Sequence, residues 1–83
     1  MSFEELVNLE RQRQDDKWGE QNHSPFVWLA ILGEEVGELQ NAVLERIHLR
    51  NQNTKSISSE LIQIAAVAKA MLESLIRQGY LVD

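Results

Sequence analysis

The sequence predicts an all-α protein, an antiparallel helical bundle of about three helices per chain that is completed by oligomerisation. Apolar residues recur with the helical period in three separate segments, and no segment alternates like a strand. Capping residues precede the first two of these segments. The chain has 83 residues and no cysteine, so we expect a single domain over residues 1–83 with a modest core and no disulfide to stabilise it.

The first helix is predicted from Ser2 to about residue 16. Glu5 follows Ser2 at the spacing of a capping box. An apolar stripe then precedes a polar run over residues 11–16, and it consists of Phe3, Leu6, Val7 and Leu9. Residues 17–23 include Gly19 and lose the helical period, so they are predicted to form a loop.

The second helix is predicted from Ser24, its N-cap, to about Leu49, with Pro25 at the first helical position. One narrow apolar stripe identifies it: Leu29, Leu32, Val36, Leu39, Val43 and Ile47. A polar loop over residues 51–56 leads to a third helix, from about Ile57 to Arg77, which Gly79 terminates. Its apolar face comprises Ile57, Ile64, Val67, Ala68, Met71 and Leu75.

The third helix is also rich in alanine, at positions 65, 66, 68 and 70. Small residues let helices approach closely, so a partner subunit could pack on Ala65, Ala66, Ala68 and Ala70. The alternative is that these alanines simply favour helix. Because two long helices and a shorter one make a thin core, we expect a homo-oligomer, either a dimer or a tetramer.

Composition excludes several classes of partner. A net charge of -5 argues against binding to polymeric nucleic acid, which requires clustered Lys and Arg. No apolar run approaches the length that spans a membrane, and the N-terminus is acidic rather than a signal sequence. We therefore expect a cytoplasmic protein without a membrane partner.

The second helix carries an unusual set of acids. Residues 24–45 contain Glu34, Glu35, Glu38 and Glu45 and no Lys or Arg, whereas an exposed helical face normally mixes both signs. On a helical wheel, Glu35 and Glu38 share a sector with apolar residues, namely Trp28, Ile31 and Ala42. Partly buried carboxylates without a basic partner either protonate or recruit a cation.

The third helix repeats this pattern, because Glu60 projects onto its apolar face and Gln63 lies one turn further along. Facing helices with oxygen ligands at this spacing suit Mg²⁺. Two simpler interpretations stay open. Glu60 could complement the helix dipole or close a capping box with Ser56 or Ser58, and the acids of the second helix could form a surface patch.

Two further hypotheses belong to other functional classes. Carboxylate-bridged iron proteins use Glu-x-x-His pairs, and the chain has Glu20 with His23 and Glu45 with His48, although these pairs are badly placed for one compact site. A non-catalytic helical interaction module would use the alanine-rich third helix as its seam and the acids for solubility.

Two stretches, KWGEQNHSPFVWLAILGEEVGELQNA and SELIQIAAVAKAMLESL, resemble the MazG-like family of all-α nucleoside triphosphate pyrophosphohydrolases. That family carries a Glu-Glu-x-x-Glu block on one helix and a Glu-x-x-Asp block on the next, with magnesium between them. The first block is present here at Glu34, Glu35 and Glu38. The second begins at Glu60 but has Gln63 where the family most often has Asp, which removes one charge from the site.

The resemblance implies a Mg²⁺-dependent hydrolase that cleaves a nucleoside triphosphate, with the deoxynucleotide as the expected form, to the monophosphate and pyrophosphate. Glu35, Glu38, Glu60 and Gln63 would then face the metal, and Glu34 would hold a second metal or the attacking water. The segment before the second helix looks like the part of the family that contacts the nucleotide. Its candidate residues, together with one aromatic of the second helix, are Lys17, Trp18, Gln21, His23 and Trp28.

Overall fold

The computed structural model describes residues 1–48, 50 and 56–81. In these ranges the chain forms no strand and three α-helices, α1 (Phe3–Trp18), α2 (Pro25–Val43) and α3 (Ile57–Arg77). A π-helical turn, Leu44–His48, continues α2. The all-α prediction is confirmed, and the prediction of an oligomer stays a prediction. None of the described helices is long and apolar enough to cross a membrane.

The capping box of α1 is confirmed, but α1 extends beyond the predicted end. The Ser2 hydroxyl accepts a hydrogen bond from the Glu5 amide at 3.1 Å, and the Glu5 carboxylate accepts one from the Ser2 amide at 3.1 Å. The polar run continues the helix through side-chain pairs one turn apart, including Arg11 with Asp15 at 3.0 Å. Lys17 and Trp18, predicted in a loop, therefore belong to the last turn, and Gly19 follows with a φ of 73°.

The starts of α2 and α3 also follow from capping. Ser24 caps α2 with Pro25 directly after it, as predicted, and Ser56 caps α3 by accepting a hydrogen bond from the Ser59 amide at 3.0 Å. The helical run of α2 continues to His48, but its last part is a π-helical turn. Apolar periodicity identifies a shared face and does not report the hydrogen-bond pattern, so this turn was not predictable. The predicted end at Leu49 and residues 51–55 of the predicted loop lie outside the described residues.

Helix α3 ends at Arg77, as predicted. Gly79 follows with a φ of 83°, and the Tyr80 amide donates to the Leu75 carbonyl at 2.9 Å. Glycine adopts this left-handed backbone without the steric cost of a side chain. The predicted C-terminal stop is therefore confirmed.

Helix α3 lies between the other two helices, which do not pack on each other. The indole of Trp28, near the start of α2, bonds to Ser74 near the end of α3, so these two helices are antiparallel. Residues near the start of α1 lie beside the first turns of α3, and residues near its end lie beside the last turns of α3. The chain thus runs up, down and up, with α1 parallel to α3.

The face of α2 that packs on α3 overlaps only in part with the apolar stripe that identified the helix, since Leu32 of that stripe packs against the core. Trp28 and Ala42 are the buried residues of α2, Glu35 lies at heptad spacing between them, and Glu38 lies one turn after Glu35. In contrast, Leu29 is 61% exposed and Ile47 is 65% exposed. We call Leu29, Val36, Val43 and Ile47 the outer stripe of α2.

The alanines of α3 serve packing within the chain. Ala66 and Ala70 are buried, while Ala65 is half-buried and Ala68 is exposed. Small side chains at Ala66 and Ala70 leave room for the neighbouring helices to approach a central helix. Those two residues are therefore covered within the chain, and packing of a partner subunit on this helix stays a prediction.

Candidate metal centre and adjoining cleft

Three glutamates from two helices meet at one point of the bundle. Glu35 and Glu38 lie one turn apart on the inward face of α2, and the antiparallel packing sets that turn against the start of α3, where Glu60 lies. One carboxylate oxygen from each of the three lies within 4.8 Å of the others. The structure thus brings together the three glutamates that the sequence assigned to a metal site.

Burial differs across this glutamate cluster. Glu60 is 0% exposed, Glu35 is half-buried and Glu38 is exposed at the rim. Glu60 occupies the fourth position after the Ser56 cap, one residue beyond the place of a capping-box acid. Glu60 is thus buried between helices, whereas Glu34 and Glu38 of α2 are exposed, so the surface-patch interpretation of those two acids stays open.

Ligand chemistry favours a hard cation at the cluster. The three carboxylates supply oxygen ligands from two helices, and a divalent cation could enter from the exposed side at Glu38. Three carboxylates suit Mg²⁺, Mn²⁺ or Ca²⁺ better than a soft metal, so the residues fit magnesium without selecting it among hard cations.

An open cleft of about 300 Å³ adjoins the cluster. Helices α1 and α2 form its walls, and α3 forms its floor. Glu34 and Glu35 line it from α2, and Gln63 lines it from α3. Gln63, which replaces the expected Asp, therefore points to the same space as the acids. Glu34 stands at this space outside the three-glutamate group, where a group that orients water could act.

Three of the residues predicted to contact substrate also line this cleft, but they offer different surfaces. Trp18 is 54% exposed and can present its ring, and Gln21 lies beside it. Trp28 is 2% exposed, and its indole N–H donates to the Ser74 hydroxyl at 3.1 Å. Trp28 is thus mainly a core residue, and it lines the cleft from the α2 side.

Lys17 and His23 are not among the residues that line the cleft. The Lys17 ammonium lies 4.6 Å from the centre of the Trp18 ring, which is a cation–π arrangement. The His23 ring meets Trp28 edge-on, with ring centres 4.9 Å apart. Both residues therefore contact the tryptophans of the cleft rather than the cleft itself.

The loop between α1 and α2 is held by the end of α3. Arg77 donates to the Asn22 side-chain oxygen at 2.8 Å and to the Gln21 carbonyl at 3.2 Å. Gln78 donates to the His23 carbonyl at 2.8 Å and to the Ser74 hydroxyl at 2.9 Å. These bonds fix the backbone that carries Gln21, so α3 positions one end of the cleft as well as its floor.

Sequence reasoning missed the contribution of α1. Glu10, Arg13 and Gln14 line the cleft from this helix. They belong to a polar run that has the composition of an exposed helix face. The spacing of Glu10, Arg13 and Gln14 places them on one side of α1 with Trp18, and this spacing was the available signal.

The two Glu-x-x-His pairs are not assembled into a site. In the described part of the chain, the group of acids and histidines close enough to share an ion consists of Glu35, Glu38 and Glu60. Glu20 instead lies 3.4 Å from Arg77, and Glu45 and His48 lie in the π-helical turn. The structure therefore offers no support for the carboxylate-bridged iron hypothesis.

Comparisons with protein-family models, with curated proteins and with solved structures give no match for this chain. The resemblance to the MazG-like family accordingly rests on the two acidic motifs and the segment before α2. The glutamate cluster and the adjoining cleft are the features of the described residues that bear on function.

Proposed function

We propose that this protein is a Mg²⁺-dependent nucleoside triphosphate pyrophosphohydrolase that acts on a deoxynucleoside triphosphate. The observation that carries the proposal is the cluster of Glu35, Glu38 and Glu60 at the edge of a cleft with an exposed tryptophan, Trp18. Hydrolysis of a nucleoside triphosphate needs neutralisation of the phosphate charges. Binding of the nucleotide also needs a surface for the base at the other end of the ligand. The resemblance of both acidic motifs to the MazG-like family favours this activity over other metal-dependent chemistry.

Each group of the cleft has a role in this proposal. Glu35, Glu38 and Glu60 would hold the ion, which neutralises charge on phosphate oxygens when bound. Glu34 orients a water and accepts its proton. The water oxygen bonds to phosphorus as the α–β bridging P–O bond breaks, so one monophosphate and one pyrophosphate form. Trp18 stacks on the base, and Gln21 can hydrogen-bond to its edge.

We also propose that the working form is a homo-oligomer, with the outer stripe of α2 as the interface. Leu29, Val36 and Val43 repeat at heptad spacing and are partly or largely exposed in the single chain. A solvent-exposed apolar stripe on a long helix is typical of a helix that packs on another helix. A second copy could pair its own stripe with this one across a twofold axis.

The direct test is pyrophosphate release from a panel of nucleoside triphosphates with Mg²⁺, for the native protein and Glu38→Gln. Glu38 is exposed, so the variant should fold, and we expect it to lose at least about 99% of the activity because one ligand charge is gone. Glu4→Gln, an equal charge change in the first turn of α1, should keep full activity. Retention of most activity in Glu38→Gln would remove Glu38 from the metal site.

A non-catalytic interaction module is the second candidate function, and the outer stripe of α2 is the observation that favours it. This alternative makes a distinct prediction: the protein would self-associate, but no triphosphate in the panel would be hydrolysed with Mg²⁺ or Mn²⁺.

A further inference from the structure

Arg13 is the one cation among the described residues that line the cleft. The other charged residues there are Glu10, Glu34 and Glu35. Lys17, which the sequence suggested for nucleotide contact, lies outside this lining and over the Trp18 ring. A polyphosphate in the cleft would therefore meet the guanidinium of Arg13 from α1 and the glutamate cluster from the opposite side.

Glu10 holds this guanidinium in one orientation. Arg13 Nε donates to Glu10 Oε1 at 2.9 Å, and Nη2 donates to Oε2 at 2.6 Å. These bonds use one edge of the guanidinium, and the Arg13 side chain is 53% exposed. Within the described residues Nη1 donates no bond, so Nη1 and the second N–H of Nη2 form the edge that is available to a ligand. The fork is thus preorganised before any ligand arrives, which reduces the entropy lost on binding.

Electrostatics connect Arg13 to the glutamate cluster. The hydrogen bond and the charge of Glu10 raise the pKa of Arg13, and the charge of Glu35 raises it further. The same pairing lowers the pKa of Glu10. Arg13 therefore lies within the field of a predicted metal ligand, where a guanidinium and a metal ion could contact the same polyphosphate.

We propose that Arg13 binds the phosphate chain of the substrate, with Glu10 as the residue that positions it. The inference rests on the proposed function and names the ligand class as a polyphosphate chelated to a divalent cation. Planar guanidinium groups match phosphate oxygens with two parallel donors, which an ammonium group cannot do. In this proposal Arg13, rather than Lys17, is the cation that contacts the phosphates.

The probe is inorganic tripolyphosphate with Mg²⁺, titrated by calorimetry into the full chain, because this ligand has no base and tests the phosphate site alone. Arg13→Gln should weaken binding at least about tenfold, and Arg13→Lys should recover part of the loss. Arg46→Gln, an equal charge change on an exposed residue of the π-helical turn, should bind as the native protein does.

A second readout excludes a merely structural effect. Arg13→Gln removes a positive charge near Glu35, so Mn²⁺ alone should bind as tightly as in the native protein or up to several-fold more tightly. Weaker tripolyphosphate binding with undiminished Mn²⁺ binding is the expected pair of results. The inference is overturned if the tripolyphosphate dissociation constant of Arg13→Gln is within twofold of that of the native protein. It is also overturned if Arg46→Gln weakens tripolyphosphate binding as much as Arg13→Gln does, or if Arg13→Gln loses Mn²⁺ binding as well.

The outcome separates this inference from the proposed function. Arg13-dependent binding of tripolyphosphate without hydrolysis of any nucleotide would keep the inference and reject the hydrolase. Hydrolysis whose KM is unchanged by Arg13→Gln would keep the hydrolase and reject the inference.

Discussion

At the scale of single residues, the contrast between Glu60 and Gln63 defines the candidate site. Glu60 is fully buried and belongs to the glutamate cluster, whereas Gln63 is half-buried one turn later and lines the cleft. An amide oxygen can bind a hard cation but adds no negative charge. A site with Gln63 would hold its cation more weakly than a site with Asp at this position, until a substrate adds phosphate oxygens as ligands.

Gln63→Asp should therefore tighten Mg²⁺ binding to the protein without nucleotide, by roughly tenfold, because it adds an anionic ligand next to the cluster. The measurement is the Mg²⁺ dissociation constant by calorimetric titration. Gln40→Asp adds the same charge at an exposed position of α2 and serves as the control. An unchanged constant in Gln63→Asp, alongside weaker binding in Glu60→Gln, would show that Gln63 is not a ligand position.

At the scale of helices, α3 organises the rest of the chain. It packs on both other helices, and its last turns bind the loop between them. Ser74 is central to this contact because it is 0% exposed, accepts hydrogen bonds from Trp28 and Gln78, and donates to Asn22 at 3.4 Å. A hydroxyl on the apolar face of α3 thus connects three segments.

Ser74→Ala should lower the free energy of unfolding by about 1 to 3 kcal/mol, because the buried Trp28 N–H would lose its acceptor. Urea denaturation followed by circular dichroism measures this change. Ser59→Ala, on the exposed side of the same helix, should change stability by less than about 0.5 kcal/mol. Equal effects of the two substitutions would mean that the Ser74 hydroxyl does not stabilise the fold through Trp28.

At the scale of the whole molecule, the chain leaves much apolar surface exposed. Phe26 and Leu29 at the start of α2 and Ile47 at its end are largely exposed, and the 83-residue chain has no cysteine. Small single-chain domains of this size bury little surface and commonly depend on a disulfide, a metal or a partner chain for stability. Association through the outer stripe of α2 would bury this surface.

Light scattering at micromolar concentration should therefore give a mass of at least twice the 9.5 kDa of the chain. The double substitution Leu29→Glu and Val43→Glu should shift the protein towards the monomer, since charges on a paired apolar stripe repel each other. Leu72→Glu, at a comparably exposed position on α3, should leave the assembly intact. A native mass near that of one chain would refute the oligomer, and dissociation by Leu72→Glu alone would place the interface elsewhere.

Local patterns in the sequence were sufficient to predict the three helices, the N-caps of the first two and the C-terminal stop of the third, but not the end of α1. Ser2, Ser24 and Gly79 act through backbone groups within a few residues, so their roles depend on chain neighbours alone. The spacing of Glu35 and Glu38 likewise places both on one helix face before any packing is known. The fold class and the acids of the candidate site were predictable for this reason.

Only the tertiary structure decided which face of α2 is buried, since α2 carries apolar residues on two sides and periodicity selected the narrow stripe, most of which remains exposed. Tertiary structure also brought Arg13 to the cleft, buried the indole of Trp28 and set Glu60 against Glu35. These results depend on contacts between residues far apart in the chain. The sequence by itself determined which segments of the chain form helices, because hydrogen bonds within a helix are local. The packing of α3 between α1 and α2 determined which side chains meet, because that choice depends on the total surface that all three helices bury together.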